Sequence, residues 1–386
     1  MYLPKPLSAH SKTKLNAQRT AVKRAIRIMH LTLTAPDLLP PAQFIAPQDL
    51  PTLPALEALL ARARITRTAG RALEVAVLNN FGLTQSAPIA ALTALADTAK
   101  HGVDTWVRAD PVHLAVSRDN VQLMDSHVLE PTLQEAHAIV ATLNAHLKQD
   151  GLTLVVNDAA RWVMQIDAAD APATTPLWAV TGGSLFDHLP HAAGKINWRA
   201  LQNELQMLLH DHPVNLAREA NGARAINGIW FWGAGSLNGV VAKTQYRKLA
   251  GRLALARGLA MHAGILLVPL PTTFADLTSD FDHTLVVLHT PTRELRANRR
   301  GEYVEACLRL DRDWFNPALA ALATGKIAKL TLQLANEACT LEATIMPRRP
   351  LAILEISQTE SARPVCLASS PAHKTPPPTT PLSPVT

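Results

Sequence analysis

Apolar residues recur along the chain in short strand-like runs that alternate with stretches of helical spacing. Alternation of this kind is typical of an α/β protein with a mostly parallel central sheet. The predicted strands are 29–34, 226–232, 265–268, 284–289, 328–334 and 341–345. The predicted helices include one that carries Leu53, Leu56, Leu59, Leu60 and Ile65 at helical spacing, and one over 303–323.

The middle of the chain has a different pattern, with short strands between longer amphipathic helices. Thr132 and Glu135 have the spacing of a capping box, which marks a helix start, and Asn197 is suited to cap another helix. The pattern predicts a small α+β domain inserted into the α/β core. Its predicted strands are 121–125, 152–156 and 162–166. The predicted boundaries are 105–225 for the inserted domain, and 29–104 with 226–355 for the core.

Basic residues are concentrated at the amino-terminal end. The chain has 37 lysines and arginines against 31 carboxylates, a formal net charge of +6. Seven of the basic residues and none of the acidic ones lie in 1–28, so the body is nearly neutral and a nucleic-acid partner is not predicted. The segment has the composition of a disordered phosphate-binding arm or a targeting segment, or else translation starts at Met29.

Proline, serine and threonine dominate the other end, 356–386, which includes Pro376-Pro377-Pro378. Such a segment buries too little apolar surface to offset the entropy of ordering, so a disordered tail is predicted. A second interpretation makes its proline runs an extended ligand for a partner.

Two further features narrow the class of protein. No apolar run reaches the roughly 18 residues that a membrane-spanning helix needs, so a membrane protein is not expected. Cys307, Cys339 and Cys366 are widely spaced and contain no CxxC pair, which argues against a disulfide framework or a zinc ribbon. This cysteine usage predicts a reducing, cytoplasmic compartment.

A cation, a carboxylate and an imidazole lie close together in Trp106-Val107-Arg108-Ala109-Asp110-Pro111-Val112-His113-Leu114. In one interpretation a proline turn lets Arg108 and His113 bind an anionic group while Asp110 orients one of them. In the other, Arg108 and Asp110 form a structural ion pair, and His113 is a half-buried residue with a satisfied hydrogen bond. The sequence leaves both interpretations open.

A second polar cluster, His210-Asp211-His212-Pro213-Val214-Asn215, precedes Arg218. His210 and His212 are two residues apart and do not share a helical face, so they do not match a helical zinc site. We predict that Asn215 and Arg218 bond to the backbone or to a ligand, and that the two histidines are partly exposed.

Asn227 opens a predicted strand that ends in the glycine turn Gly233-Ala234-Gly235. A Gly-x-Gly after a strand lets backbone amides approach a phosphate, but the third glycine of a dinucleotide fingerprint is missing. Trp230 and Trp232 point to the same side of this strand. They either pack at a domain interface or form a stacking wall for a sugar or base.

These motifs occur in an order that resembles archaeal-type cofactor-independent phosphoglycerate mutases over roughly residues 29–355. The resemblance rests on His212-Pro213-Val214-Asn215, Arg218, Gly222, Asn227, Gly233-Ala234-Gly235, Arg108 and the strand Phe281 to His289. Ala109 to Leu114, Asn203 to His210 and Trp230-Phe231-Trp232-Gly233 are similar to a bacterial group called the regulatory-protein RpfE type. The resemblance implies an alkaline-phosphatase-like α/β sandwich in which Asp and His hold two divalent metals and a Ser or Thr takes up the phosphoryl group.

The chain departs from that family at the metal ligands themselves. The corresponding segments read Thr34-Ala35-Pro36-Asp37, His289 to Asn298 with Glu294, Asn336-Glu337-Ala338, and Arg348-Arg349-Pro350. Asp37, Glu294 and Glu337 cannot supply the five or six ligands that two metals require. We therefore predict no metal, no other cofactor and no catalytic residue.

These observations favour a phosphoglycerate mutase-like protein that lacks the dinuclear site and acts as a non-catalytic regulatory or metabolite-binding protein. Its partner would be a phosphorylated metabolite or another protein. The alternatives are an active isomerase or phosphotransferase that uses relocated residues such as His210 and His212, and a structural module that holds two domains together. The predicted ligand contacts are Arg108, Asp110, His113, His210, His212, Asn215, Arg218, Asn227, Trp230 and Trp232.

Overall fold

The computed structural model describes residues 29–70, 72–98, 104–116, 121–180, 185, 188–190, 194–277, 282–336 and 339–347. The predictions for 1–28 and 356–386 fall outside these residues. The strands are β1 Met29–Thr34, β2 Arg64–Ala69, β3 Thr105–Val116, β4 Val121–Met124, β5 Leu154–Asp158, β6 Arg161–Ile166, β7 Gly228–Gly235, β8 Lys248–Gly251, β9 Leu266–Val268, β10 Thr284–Val287, β11 Ile327–Ala335 and β12 Cys339–Ile345. The helices are α1 Pro54–Leu60, α2 Leu73–Asn79, α3 Ile89–Thr98, α4 Ser126–Leu129, α5 Leu133–Leu147, α6 Leu177–Val180, α7 Trp198–His210, α8 Pro213–Ala220, α9 Ala254–His262, α10 Thr290–Arg296, α11 Arg300–Leu310 and α12 Asn316–Ala323.

The central sheet has seven strands in the order β2-β12-β11-β1-β10-β8-β9. The five strands from β11 to β9 run parallel to their neighbours, while β12 and β2 add an antiparallel margin. The prediction of an α/β fold with a mostly parallel central sheet is confirmed. Because the strands are parallel, Thr34, Gly251 and Val287 end at one side of the sheet, here called the carboxyl edge; the opposite side is the amino edge.

A second sheet is built around β3, which pairs antiparallel with β4, β6 and β7, while β5 extends it beyond β6. The expected proline turn is wrong: β3 runs unbroken through Pro111, which lies opposite Ile229 on β7. Proline is accommodated in this strand although it cannot donate a backbone hydrogen bond. Since β7 joins this sheet, the chain passes from the second sheet back to the central sheet after residue 235.

Alternation along the second sheet distributes its side chains between two cores. Trp230 and Trp232 pack with residues of β8, β10 and α9, in a cluster that joins the two sheets. Ile229 and Phe231 point the other way and pack against α5 and α7. A third cluster covers the opposite face of the central sheet beneath α1, α11 and α12. The packing therefore favours the domain-interface interpretation of the two tryptophans.

Local sequence signals act as expected at several helix starts. Glu135 and Thr132 form the reciprocal capping box of α5, and the Asn197 side chain caps α7.

Two predictions need correction. Ile65 lies in β2, not in the preceding helix, and the helix predicted over 303–323 is interrupted by a π-helical turn, Asp311–Phe315. No helix in the described part of the chain combines the length and apolarity needed to cross a bilayer.

Candidate functional site

A cavity of about 220 Å³ lies between the carboxyl edge of the central sheet and the second sheet. Five guanidinium groups and three carboxylates line it, so guanidinium groups outnumber carboxylates in the lining, which favours an anionic ligand. Two of the five also pair with carboxylates outside the lining, those of Asp97 and Glu294. We call it the arginine cleft. The lining arginines are Arg108, Arg161, Arg252, Arg293 and Arg296. The lining carboxylates are those of Glu74, Asp110 and Asp125.

Arg108 and Asp110 form a buried ion pair on β3. The Arg108 Nη2 lies 2.7 Å from both carboxylate oxygens, and its Nε donates to Oδ1 at 3.0 Å. The Trp232 indole donates to Asp110 Oδ2 at 2.7 Å, and the guanidinium carbon lies 5.0 Å from the Trp232 ring centroid. Burial raises the pKa of the Asp110 carboxyl, against the opposing effect of the Arg108 guanidinium.

Two more of the arginines are held by carboxylates. Arg161 donates two hydrogen bonds of 3.0 Å to Asp97, and Arg296 contacts both oxygens of Glu74 at 3.3 Å. Burial alone would lower the pKa of Arg296, but the Glu74 and Asp125 carboxylates outweigh it and raise that pKa. These pairs fix the guanidinium groups in place and neutralise part of their charge.

Asp125 and His127 form a further pair at the start of α4. The Asp125 carboxylate accepts from the His127 backbone N–H at 3.0 Å, which caps the helix, and lies 3.2 Å from the ring Nδ1. Burial pushes the pKa of Asp125 upward, but the hydrogen bond and charge of His127 outweigh it, and the net shift is downward. The carboxylate is therefore committed to the helix and its histidine.

Arg252 supplies the least compensated charge of the cleft. It directly follows β8, is exposed, and has no carboxylate within ion-pair distance among the described residues. Arg293, on α10, is also exposed and is 3.3 Å from Glu294. These two side chains are the ones that an incoming anion could pair with most directly.

His289 and Thr292 bring unpartnered polar atoms to the same cavity. His289 Nδ1 and Thr292 Oγ1 are both buried and have no hydrogen-bond partner among the described residues. Burial, together with the charges of His127, Arg252 and Arg296, lowers the pKa of His289 to about 4. A buried polar group without a partner costs about 1–3 kcal/mol, so a ligand that bonded to these atoms would remove that cost.

Of the ten predicted contacts, the structure brings Arg108, Asp110 and Trp232 to the arginine cleft. His113 points to the other face of β3 and lies 2.8 Å from the Ala225 carbonyl. Asn227 exchanges two hydrogen bonds with the Leu114 backbone. Trp230 is fully buried and donates to the Thr175 carbonyl at 3.1 Å. The structural interpretation of the β3 motif is confirmed for the ion pair and for the hydrogen-bonded His113, while anion binding by Arg108 stays a prediction.

The remaining four predicted residues lie around α7 and α8, outside the cavity lining. Asn215 uses its amide group to bridge the Leu209 and Ile226 backbones. Arg218 is buried and bonds to Glu135 and to the carbonyls of Arg224 and Leu129. The predicted partial exposure of His212 is wrong: the residue is buried, it caps α8 through Nδ1, and burial lowers its pKa. The His210 side chain is 84% exposed. Each of the first three has a structural role that accounts for its position.

The segments around Thr34, Glu294 and Asn336 carry mostly uncharged or paired groups. The Thr34 hydroxyl donates to Gln333 at 2.7 Å, and Gln333 exchanges hydrogen bonds with Asn80. Glu294 is paired with Arg293 and Arg299. Asn336 accepts from the Cys339 backbone and donates to the Leu39 carbonyl. Glu337 lies outside the described residues.

Sequence reasoning missed Arg161, Arg252, Arg296, His289 and Thr292 as members of one site. Arg161 and Arg252 come from separate segments and belong to no local motif that marks a ligand contact. His289, Thr292 and Arg296 lie in the segment 289–298, which the resemblance marked only as a place of missing metal ligands. One signal was available for His289: it ends the predicted strand 284–289, and ligands of α/β proteins commonly bind where the strands of a parallel sheet end. The strand before Arg252, β8, was not predicted.

No protein-family model matches the chain. It is 25% identical over 202 residues to a probable 2,3-bisphosphoglycerate-independent phosphoglycerate mutase of Geobacter sulfurreducens. The aligned region covers 50% of this chain and 50% of that protein. It is 22% identical over 173 residues to the 2,3-bisphosphoglycerate-independent phosphoglycerate mutase of Methanosarcina acetivorans, covering 43% of this chain and 44% of that protein. The chain therefore spans about half the length of the curated relatives it matches.

Two solved structures are also similar. The cofactor-independent phosphoglycerate mutase of Thermoplasma acidophilum has 16% identity and a TM-score of 0.42, covering 83% of this chain and 90% of the other. The PH0037 protein of Pyrococcus horikoshii has 14% identity and a TM-score of 0.45, covering 83% and 88%. At the level of sequence, the chain is similar to cofactor-independent phosphoglycerate mutases at low identity.

Proposed function

We propose that this protein binds a small phosphorylated anion in the arginine cleft, as a phosphoglycerate mutase-like regulatory or metabolite-binding protein without dinuclear metal chemistry. One observation carries the proposal. Guanidinium groups outnumber carboxylates in the lining of a cavity that also contains two buried polar atoms, His289 Nδ1 and Thr292 Oγ1, with no hydrogen-bond partner in the described part of the chain. An anion with several oxygens would form ion pairs with the guanidinium groups and hydrogen bonds with His289 Nδ1 and Thr292 Oγ1.

The size and charge of the cleft support a small ligand of this class. A cavity of about 220 Å³ suits a three-carbon acid better than a nucleotide. The curated relatives are named for phosphoglycerate, which carries both a phosphate and a carboxylate. Arginine is well suited to both groups because its planar fork of donors matches their oxygens.

The groups at the carboxyl edge support the absence of a dinuclear metal centre. Hard divalent cations prefer several carboxylate ligands, yet Thr34, Gln333 and Asn336 are uncharged, and Glu294 is engaged by two arginines. The neighbouring Arg252 and Arg296 would also repel a cation. We include in the proposal an alkaline-phosphatase-like arrangement, in which the second sheet belongs to an inserted domain over this edge.

The test combines binding with turnover on the full chain. The melting temperature is measured with 3-phosphoglycerate, with inorganic phosphate, and with glycerol as an uncharged control. A ligand that binds only the folded state raises this temperature, so both anions should raise it and glycerol should not. In parallel, interconversion of 2- and 3-phosphoglycerate is assayed with and without Mn²⁺, and none is expected.

Each arm has an outcome that rejects part of the proposal. Unchanged melting temperatures at saturating anion would show that the cleft is not a binding site for this class. Manganese-dependent interconversion would favour the catalytic alternative. His210→Gln and His212→Gln would then test the relocated histidines, which the structure places outside the cleft.

A further inference from the structure

Two histidines and an aspartate converge at the amino edge of the central sheet, on the side opposite the arginine cleft. His30 lies in β1, while Asp282 and His283 immediately precede β10. Among the described residues, this is the group in which three potential metal ligands place their donor atoms within 4.8 Å of one another. We propose that His30, Asp282 and His283 bind a divalent transition-metal ion, with Zn²⁺ as the best match.

The distances between donor atoms fit a single ion. His30 Nδ1 is 3.2 Å from His283 Nε2 and 3.5 Å from Asp282 Oδ1, and His283 Nε2 is 3.6 Å from Asp282 Oδ2. Tetrahedral zinc with bonds of about 2.0–2.1 Å separates its ligand atoms by about 3.3 Å. Small rotations of the side chains would therefore bring all three atoms into coordination, and water would complete the shell.

The backbone holds the aspartate in place. Asp282 Oδ1 accepts from the backbone N–H groups of His30 at 3.3 Å and His283 at 3.0 Å. Pairing of Leu31 with Thr284 fixes the relative position of the two strands that carry the ligands. Outer hydrogen bonds that orient a ligand are a regular feature of metal sites.

His283 occupies an unusual backbone conformation that supports the same site. Its φ is +56°, in the left-handed region that residues other than glycine rarely adopt. This conformation directs the imidazole towards His30, with the two ring centroids 4.7 Å apart. A strained residue at a cluster of polar side chains is a typical sign of a functional site.

The donor set decides which ion fits. Imidazole nitrogens suit Zn²⁺ and neighbouring transition metals, whereas Mg²⁺ and Ca²⁺ prefer oxygen ligands. The three side chains are 31–40% exposed, so an ion has a path from solvent. The site would tie β1 to β10, two adjacent central strands, and would be separate from any metal chemistry at the carboxyl edge.

Calorimetric titration of the full, tag-free chain with ZnCl₂, after treatment with EDTA, tests the site. One zinc ion per chain should bind, and MgCl₂ should produce no binding heat. His30→Gln and His283→Asn should each weaken zinc binding at least tenfold, since each removes a ligand. Asparagine is chosen at 283 because it tolerates a left-handed backbone. His210→Gln, at an exposed histidine outside the cluster, should bind zinc as the unaltered chain does.

A footprint on the unaltered protein makes the test independent of variant folding. Diethyl pyrocarbonate modifies accessible imidazoles, and mass spectrometry maps the modified positions. Zinc should protect His30 and His283 but not His210. The proposal is rejected by equal modification with and without zinc, by the absence of zinc binding, or by unchanged affinity in both folded variants.

Discussion

Asp110 accepts hydrogen bonds from Arg108, two positions earlier on the same strand, and from the Trp232 indole on the neighbouring strand β7. The arginine and aspartate side chains are only 8% and 2% exposed. This arrangement aims a guanidinium at the arginine cleft but cancels its charge. The binding charge of the cleft must therefore come largely from the arginines that lack such a partner.

The buried pair makes a prediction about stability. Asp110→Asn should lower the free energy of unfolding by about 3–5 kcal/mol, because it leaves the Arg108 guanidinium buried without a counter-charge. Urea unfolding followed by circular dichroism measures this. The exposed pair Arg309 and Glu305 provides the control, since Glu305→Gln should change stability by less than about 1 kcal/mol. Equal effects of the two substitutions would mean that the Asp110 pair is not buried in solution.

Arg252 is predicted to matter more for binding than for stability. Its charge is not compensated by a described carboxylate, so Arg252→Ala should weaken phosphate and phosphoglycerate binding about tenfold or more. The melting temperature without ligand should change little. Arg309→Ala removes an exposed arginine on α11 and should leave affinity unchanged. Unchanged affinity in Arg252→Ala would remove this residue from the site.

The low pKa of His289 predicts a pH dependence of stability. Its pKa is about 4 in the folded protein and 6.5 in the unfolded chain, so the unfolded chain binds more protons between these values. Stability must then fall as the pH falls from about 6.5 towards 4, by roughly 2 kcal/mol between pH 7 and pH 5. Urea unfolding at pH 7 and at pH 5 measures this loss. In His289→Gln the loss of stability should be smaller than in the unaltered chain by roughly 2 kcal/mol. Parallel losses in the two proteins would contradict the assignment, while His210→Gln should behave like the unaltered chain.

Two glycines provide a matched test of the packing between α3 and α9. A Cβ added at Gly258 would lie 1.9 Å from the Leu92 carbonyl oxygen, which is backbone and cannot move alone. Gly258→Ala should therefore cost about 3 kcal/mol or more of stability. Gly301 lies in α11, and among the described residues no atom beyond its chain neighbours and its own helix backbone lies within 4 Å of the Cβ that alanine would add there. Gly301→Ala should thus be neutral or stabilising by up to about 1 kcal/mol. Thermal unfolding of both variants measures these changes in stability. A small loss of stability in Gly258→Ala would show that α3 and α9 are further apart.

Sequence reasoning predicted what depends on local chemistry. The capping box of Thr132 and Glu135 and the apolar runs of the central strands depend on neighbouring residues, and both are found in the fold. The strand β2 was missed because all six of its residues are exposed. A strand without a buried face shows no alternation, and Ile65 happened to continue the preceding helical spacing.

The sites depend on distant parts of the chain, and this limited their prediction. Asp110 and Trp232 were both selected, but no local pattern showed that they bond to each other across 122 positions. His30 and His283 are separated by 253 positions and belong to no common motif. Only the pairing of β1 with β10 brings them together.

The most direct test of the central claim is a calorimetric titration of the EDTA-treated full chain with 3-phosphoglycerate. We predict saturable binding at one site per chain that persists without any divalent metal and weakens about tenfold in Arg252→Ala. Binding that appears only after Mn²⁺ is added, or no binding heat at all, would contradict a metal-independent anion site in the arginine cleft.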